Sequence, residues 1–142
     1  MSWRPNHDAR LRATAYHEAG HAVAAQALGL HVESISIAED RESAGRVRYR
    51  SGSGSRWTRA RVVMCLAGPI SERWATGVVD VAGANSDLGS AWKLLRGIAR
   101  EERDVPELLS AAWESAESIV ADCWSEVARL ADRLLDGIQA AY

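Results

Sequence analysis

From Ala13 to Leu30 the chain is apolar on almost every side; between Ala22 and Leu28 only Gln26 is polar. A helix apolar nearly all round is a buried one, so this run reads as the central helix, capped by Asp8 and stopped at Gly29. Next, His31-Val-Glu-Ser-Ile-Ser-Ile alternates polar and apolar positions with an imperfect phase, Val32, Ile35 and Ile37 facing in. Arg46-Val-Arg-Tyr-Arg alternates again, with Val47 and Tyr49 inward. With the polar turn Glu39–Gly45 between them, the two runs predict a β-hairpin, and an open edge there can pair with an extended peptide. Ser51-Gly-Ser-Gly-Ser is a flexible loop without the Lys-Ser/Thr ending of a phosphate-binding loop, so no nucleotide site is expected. Trp57, Ala60, Val63, Met64 and Ala67 set a second helix from about Arg56 to Gly77, with Gly68-Pro69 expected to kink or restart it. Val78–Ala84 reads as a connector, and Asn85-Ser86 as the cap of a third helix whose inward positions are Leu88, Ala91, Trp92, Leu95 and Ile98. Pro106 opens a last helical region, broken at most once, with inward positions running from Leu109 through Ala116, Val120 and Val127 to Ile138. Trp113 and Trp124 on that face are assigned to the core. The fold class is mainly α with one small β-hairpin.

Inside the first helix stands His17-Glu18-Ala19-Gly20-His21, an H-E-x-x-H pattern. A helix turns about 100° per residue, so side chains four apart fall within about 40° of each other, one turn along. Both imidazoles can therefore reach one tetrahedral metal, and zinc suits neutral imidazole with an open position left for water. Glu18 projects beside the pair, placed to take a proton from a metal-bound water as general base. Gly20 costs about 1 kcal/mol relative to alanine inside a helix. Close approach of another element over the Ala19-Gly20 surface would explain it. Asp87, expected in the first turn of the third helix, reads from periodicity equally as a ligand or as an acid at a positive helix end. His7 and His31 are expected to be exposed and receive no ligand role.

The 142 residues suit one domain, 1–142, and 47% apolar with 25% charged residues is a globular balance. The net charge of −2 supplies no field for a polyanion, so nucleic acid is not expected as a partner. Cys65 and Cys123 form no C-x-x-C pair and are expected as buried, reduced thiols. The first residues lack the apolar core of a signal peptide, and no run of about 18 apolar residues encodes a membrane span. A cytoplasmic, soluble protein is the expectation.

Three segments in this order resemble the peptidase domain of the FtsH family of AAA zinc metalloproteases. Ala15-Tyr-His-Glu-Ala-Gly-His21 resembles that family's helix motif almost letter for letter. Leu66-Ala-Gly-Pro-Ile-Ser-Glu-Arg-Trp-Ala-Thr-Gly77 is similar to its Leu-Gly-Gly-Arg-x-x-Glu-Glu…Gly segment, and Gly83-Ala-Asn-Ser-Asp-Leu88 to its Gly-Ala-x-Asn-Asp-Leu segment. Pro69 stands where the family has arginine, and Asn85-Ser86 alters the residues before the aspartate. The resemblance implies a helical zincin-like metallopeptidase domain with Zn2+ held by His17, His21 and Asp87. It gives Glu18 the role of general base, with Glu72 the runner-up third ligand or an outer group near the metal. The substrate implied is a peptide or unfolded protein. The family's ATPase module and membrane anchor are not in this sequence, so hydrolysis is expected to be ATP-independent, with a separate ATPase partner or a homo-oligomer as options. The alternative is a catalytically idle relative that uses the same fold as a binding or regulatory module; another metal-dependent hydrolase chemistry is a third reading.

Overall fold

The apolar run folds as helix α1, Pro5–Ala27. The computed structural model describes residues 5–38, 45–78, 80–137 and 139–141, with the backbone alone at 5–7 and 139–141. The helix begins at Pro5 rather than behind a cap at Asp8. Proline is well suited to a first helical position, and Asp8 falls inside the first turn, where its charge complements the positive helix end. The far end closes as a Schellman motif. Gly29, at φ +84°, donates to Gln26 O (3.1 Å), and Leu30 N donates to Ala25 O (2.9 Å). Residues 15–25 are buried except for half-buried His17, so the helix is central as expected.

Strands β1 (His31–Ser36) and β2 (Arg46–Arg50) form the antiparallel hairpin, with Val32, Ile35 and Ile37 buried. Its imperfect phase has a cause: the register shifts between Val32 and Ser34, leaving Glu33 without an opposite residue. One extra residue resets the alternation, so Val32 and Ile35 can share an inner face although three positions apart. Val47 and Tyr49 are half-buried against the core. The turn at 39–44 lies outside the described residues. A third strand, β3 (Gln139–Ala141), pairs antiparallel with β1 across Ser34–Ser36 and gives the sheet order β2-β1-β3. The apolar spacing of the last helix runs straight into β3, so the sequence carries no separate signal for it. β2 is left as an edge among the described residues.

Helix α2 runs unbroken from Ser55 to Thr76 with Pro69 inside it, and Gly77 closes it in a left-handed conformation. The expected break at Gly68-Pro69 does not occur. Every residue from Val62 to Glu72 is buried. An interior proline costs about 3 kcal/mol, whereas each large apolar side chain taken fully from water returns about 1.5–3 kcal/mol. Val62, Leu66 and Ile70 on both sides of the proline therefore hold the helix together. Helix α3 (Val81–Arg96) starts earlier than expected. Its cap is Asp80, whose carboxylate accepts from Gly83 N (3.3 Å), and Asn85-Ser86 lie within the helix. After a 3-10 turn at Glu102–Asp104 come α4 (Val105–Asp122), with Pro106 in its first turn, and α5 (Trp124–Gly137). The last helical region is thus broken once, at Cys123, which is half-buried rather than buried. Trp124 is also half-buried and stacks on Tyr16 of α1 (ring centroids 5.6 Å apart). Ile138 lies outside the described residues.

The helices α1 and α2 form the central pair; α3 and α4 pack on α2, and α5 packs on α1. Gly20 sits where the two central helices cross. A methyl group there would lie 2.6 Å from the Ala67 carbonyl oxygen and closer still to the Ser71 hydroxyl. The backbone of α2 cannot yield to it without moving the helix, so Gly20→Ala should destabilise the fold by about 2–3 kcal/mol. Chemical denaturation measures this. A variant as stable as the parent would mean that the helices are not held this close. No described helix is long and apolar enough to cross a membrane.

Candidate metal centre

The crossing of α1 over α2 fixes the two histidines. One turn apart on α1, the His17 and His21 rings sit edge to face, with centroids 4.7 Å apart. His21 lies flat on Gly68, where a side chain would collide with ring atoms Cε1 and Nε2. Its Nδ1 stands 2.7 Å from the Met64 carbonyl oxygen. A carbonyl only accepts, so Nδ1 carries the hydrogen and donates it, and neutral His21 presents a bare lone pair at Nε2. His17 Nδ1 donates to Glu72 Oε1 at 2.8 Å, which orients the second ring in the same way. The other oxygen of that carboxylate, Oε2, accepts from Asp80 N at 2.7 Å. Glu72 therefore ties the His17 ring to the N-cap of α3.

Asp87 is carried in the second turn of α3, not the first, so its charge is not explained by the helix end. It points back across the gap. Oδ2 lies 2.7 Å from His17 Nε2 and 3.4 Å from His21 Nε2. This buried oxygen forms no hydrogen bond among the described residues, although it lies within ion-pair distance of both rings. One ligand atom from each of His17, His21 and Asp87 falls within 4.8 Å of the others. With both rings neutral, two nitrogen lone pairs and a carboxylate oxygen turned toward one another repel; a metal cation relieves this, and in its absence a proton on His17 does. The donor set, two imidazoles and one carboxylate, suits zinc. Glu72, with both oxygens already committed, is an outer partner of His17 rather than a third donor.

Glu18 is buried beside these rings, 7% exposed. Burial pushes its carboxyl above the ordinary value, and the positive character of His21 and His17 only partly offsets that. At Asp87 burial acts in the same upward direction, but the two imidazoles outweigh it and hold the carboxyl down at about 2. For His17 burial alone would lower the pKa; the Asp87 and Glu72 carboxylates against its two nitrogens, with Glu18 and Asp87 adding charge, raise it to about 10. At His17 and Glu18 the metal-free site thus holds protons more tightly than the unfolded chain does. Below His17's ordinary 6.5 that stabilisation is complete, and it is lost as pH rises toward about 10; the raised carboxyl of Glu18 works in the same sense. In chelator, the melting temperature should therefore fall between pH 6.5 and 10, and zinc should remove the trend. A flat profile in chelator would contradict this electrostatic account.

The site opens into a cleft of ≈ 1210 Å³ bounded by α1, α2, α3 and the β2 strand. Cys65 also lines it, but burial and the charge of Asp87 push its thiol up to about 12, so it stays protonated near neutral pH. His31 is exposed on β1, away from the cleft lining, and the side chain of His7 lies outside the described residues. Three groups escaped the sequence reading: Gly68, Asp80 and the Met64 carbonyl. The cost of a glycine inside a helix, the argument used for Gly20, would also have found Gly68. A backbone carbonyl carries no such signal.

Residues 1–85 match the Peptidase M50B-like family. The chain belongs to that family. The match spans more than half of the 142 residues and takes in His17, Glu18, His21 and Glu72; Asp87 lies two residues beyond it. It is a different family from the FtsH peptidases that the three motifs resemble, and the ground they share is metallopeptidase chemistry. In this M50B-like chain Asp87 stands beside the two imidazoles by geometry alone, beyond the matched residues. A search of curated proteins finds no match.

Proposed function

We propose that this M50B-like protein is a zinc-dependent metallopeptidase that cleaves peptide bonds within peptides or unfolded segments, without ATP. The observation that carries the reading is Asp87 Oδ2, buried without a hydrogen-bond partner among the described residues, beside two imidazoles whose Nδ1 hydrogens are already committed to Met64 and Glu72. His17, His21 and Asp87 would hold the ion. When bound, zinc supplies Lewis acidity that polarises a carbonyl and makes water acidic near neutral pH. Glu18 takes the proton from the attacking water and passes it to the nitrogen of the departing amine, so one proton crosses the site and the amide C–N bond is exchanged for C–O. Its raised pKa suits a group that must both accept and return a proton. Glu72 keeps His17 in the tautomer and orientation that leave Nε2 free.

The substrate enters in extended form along β2. Among the described residues this strand has a partner on one side only, and its Arg46, Val47 and Tyr49 line the cleft. Strand addition there would run the peptide backbone past His17 and Glu18. The convergence of His17, His21 and Asp87 supports Asp87 as the third donor, the bonds of Glu72 to His17 and Asp80 support its outer role, and the M50B-like match supports the peptidase class. Incubation of the zinc-loaded protein with quenched-fluorescent peptides, with and without chelator and in the absence of ATP, tests the reading. Chelator-sensitive cleavage at internal bonds is expected. Zinc bound at one per chain with no cleavage of any peptide would favour the idle binding module.

A further inference from the structure

The cleft lining carries four acids and four basic residues, of which Arg10 and Arg46 lie on α1 and β2 and Arg61 and Lys93 on α2 and α3. The acids lining it, Glu18, Glu72, Asp80 and Asp87, all gather at the end where the histidines meet α3. Three of them already serve the site: Glu72 holds His17 and Asp80 N, Asp80 caps α3, and Asp87 faces both rings. Glu18 lies buried beside the same rings. Farther along the same cleft stand Arg61 of α2 and Lys93 of α3. Arg61 is half-buried, Lys93 is exposed, and neither forms an ion pair among the described residues. Their placement follows from the helical hairpin. A short connection between packed helices makes α2 and α3 antiparallel neighbours. Gly68 against His21 and Asp87 against both rings mark the metal level on each helix. Arg61 lies seven residues back along α2 and Lys93 six residues on along α3. At about 1.5 Å per residue, both fall roughly 9–10.5 Å from that level, at the same end.

We propose that Arg61 and Lys93 form a specificity subsite for a carboxylate on the substrate, about three residues from the bond that is cut. This deepens the metallopeptidase reading and rests on it. An extended peptide advances about 3.3 Å per residue, so a span of roughly 9–10.5 Å corresponds to three residues. The carboxylate is that of an aspartate or glutamate side chain, or the peptide's own C-terminus. A guanidinium partly withdrawn from water binds a carboxylate in a fork of hydrogen bonds, and an ammonium from the facing helix adds charge. Bulk salt screens the exposed lysine and reaches the half-buried arginine less.

The experiment uses neutral quenched-fluorescent octapeptides in which a single Glu is walked along the sequence, each with a Gln counterpart, plus one pair that differs only in a free or amidated C-terminus. With the zinc-loaded protein, kcat/KM for Glu over Gln should peak at one register about three residues from the cleaved bond, at roughly tenfold. Arg61→Gln and Lys93→Gln should each lower that ratio. The double reversal Arg61→Glu with Lys93→Glu should favour Lys at the same position. A preference confined to the free C-terminus supports the subsite and names the terminal carboxylate as its ligand. A Glu/Gln ratio near one at every register, together with no terminal preference, overturns the proposal. So does a ratio that the double reversal leaves unchanged. If no peptide is cut, the peptidase reading fails on its own. The same ratios, read as Kd on zinc-loaded Glu18→Gln protein, then decide the subsite separately.

Discussion

Glu18→Gln is expected to bind zinc as the parent does and to lose hydrolysis, kcat falling by about 10²–10⁴-fold or to background. Glutamine fills the same buried space, and neither His17 nor His21 depends on Glu18 for its ring orientation; those bonds come from Glu72 and Met64. What disappears is the ability to accept a proton from water and hand it to the leaving nitrogen. Metal analysis and a peptide assay on the same sample read the two effects independently. A variant with parental activity would remove Glu18 from the chemistry. A variant without zinc would make Glu18 a donor to the metal.

Asp87→Ala should lose zinc while keeping the fold. The carboxylate is the one donor that α3 contributes to the cluster, and two imidazoles alone leave the ion short of a protein ligand. The loss of affinity should exceed the roughly 10–100-fold that removal of an outer partner such as Glu72 causes. Helicity should survive, because α3 is capped by Asp80 and anchored by buried Ala91 and Leu95, not by Asp87. In the metal-free state the variant also loses the attraction between Asp87 and protonated His17, so its stability in chelator near neutral pH should fall below that of the parent. Circular dichroism alongside metal analysis checks both halves. An Asp87→Ala protein that kept stoichiometric zinc would move the third donor elsewhere.

The chemistry was legible wherever residue type and helical period act together. His17 and His21 at a four-residue spacing on an apolar helix require one shared face, and Gly20 signalled the close crossing that the Ala67 carbonyl confirms. Asp87 was harder. Periodicity left it balanced between a ligand and a helix-end acid, because a cap at Asn85-Ser86 puts Asp87 in the first turn. Once Asp80 accepts from Gly83 N, the helix starts six residues before Asp87 and the second reading loses its basis. Pro69 misled for a different reason: local propensity predicted a break, and the burial of the residues around it outweighed the missing hydrogen bond. The bulge after Val32 surfaced in the sequence only as a faulty alternation, and β3 not at all, since strand pairing depends on distant partners. Family resemblance behaved likewise. The motifs suggested FtsH peptidases, whereas the match over residues 1–85 places the chain in the M50B-like family, and the His-Glu-x-x-His core is indifferent to that distinction.

The most direct test of the metal centre is zinc K-edge X-ray absorption on the protein reconstituted with one equivalent of zinc. The account predicts a shell of nitrogen and oxygen only, at about 2.0–2.2 Å, with outer scattering from two imidazoles. A sulfur at about 2.3 Å, which Cys65 in the cleft lining could supply, or scattering from fewer than two imidazoles, would contradict it.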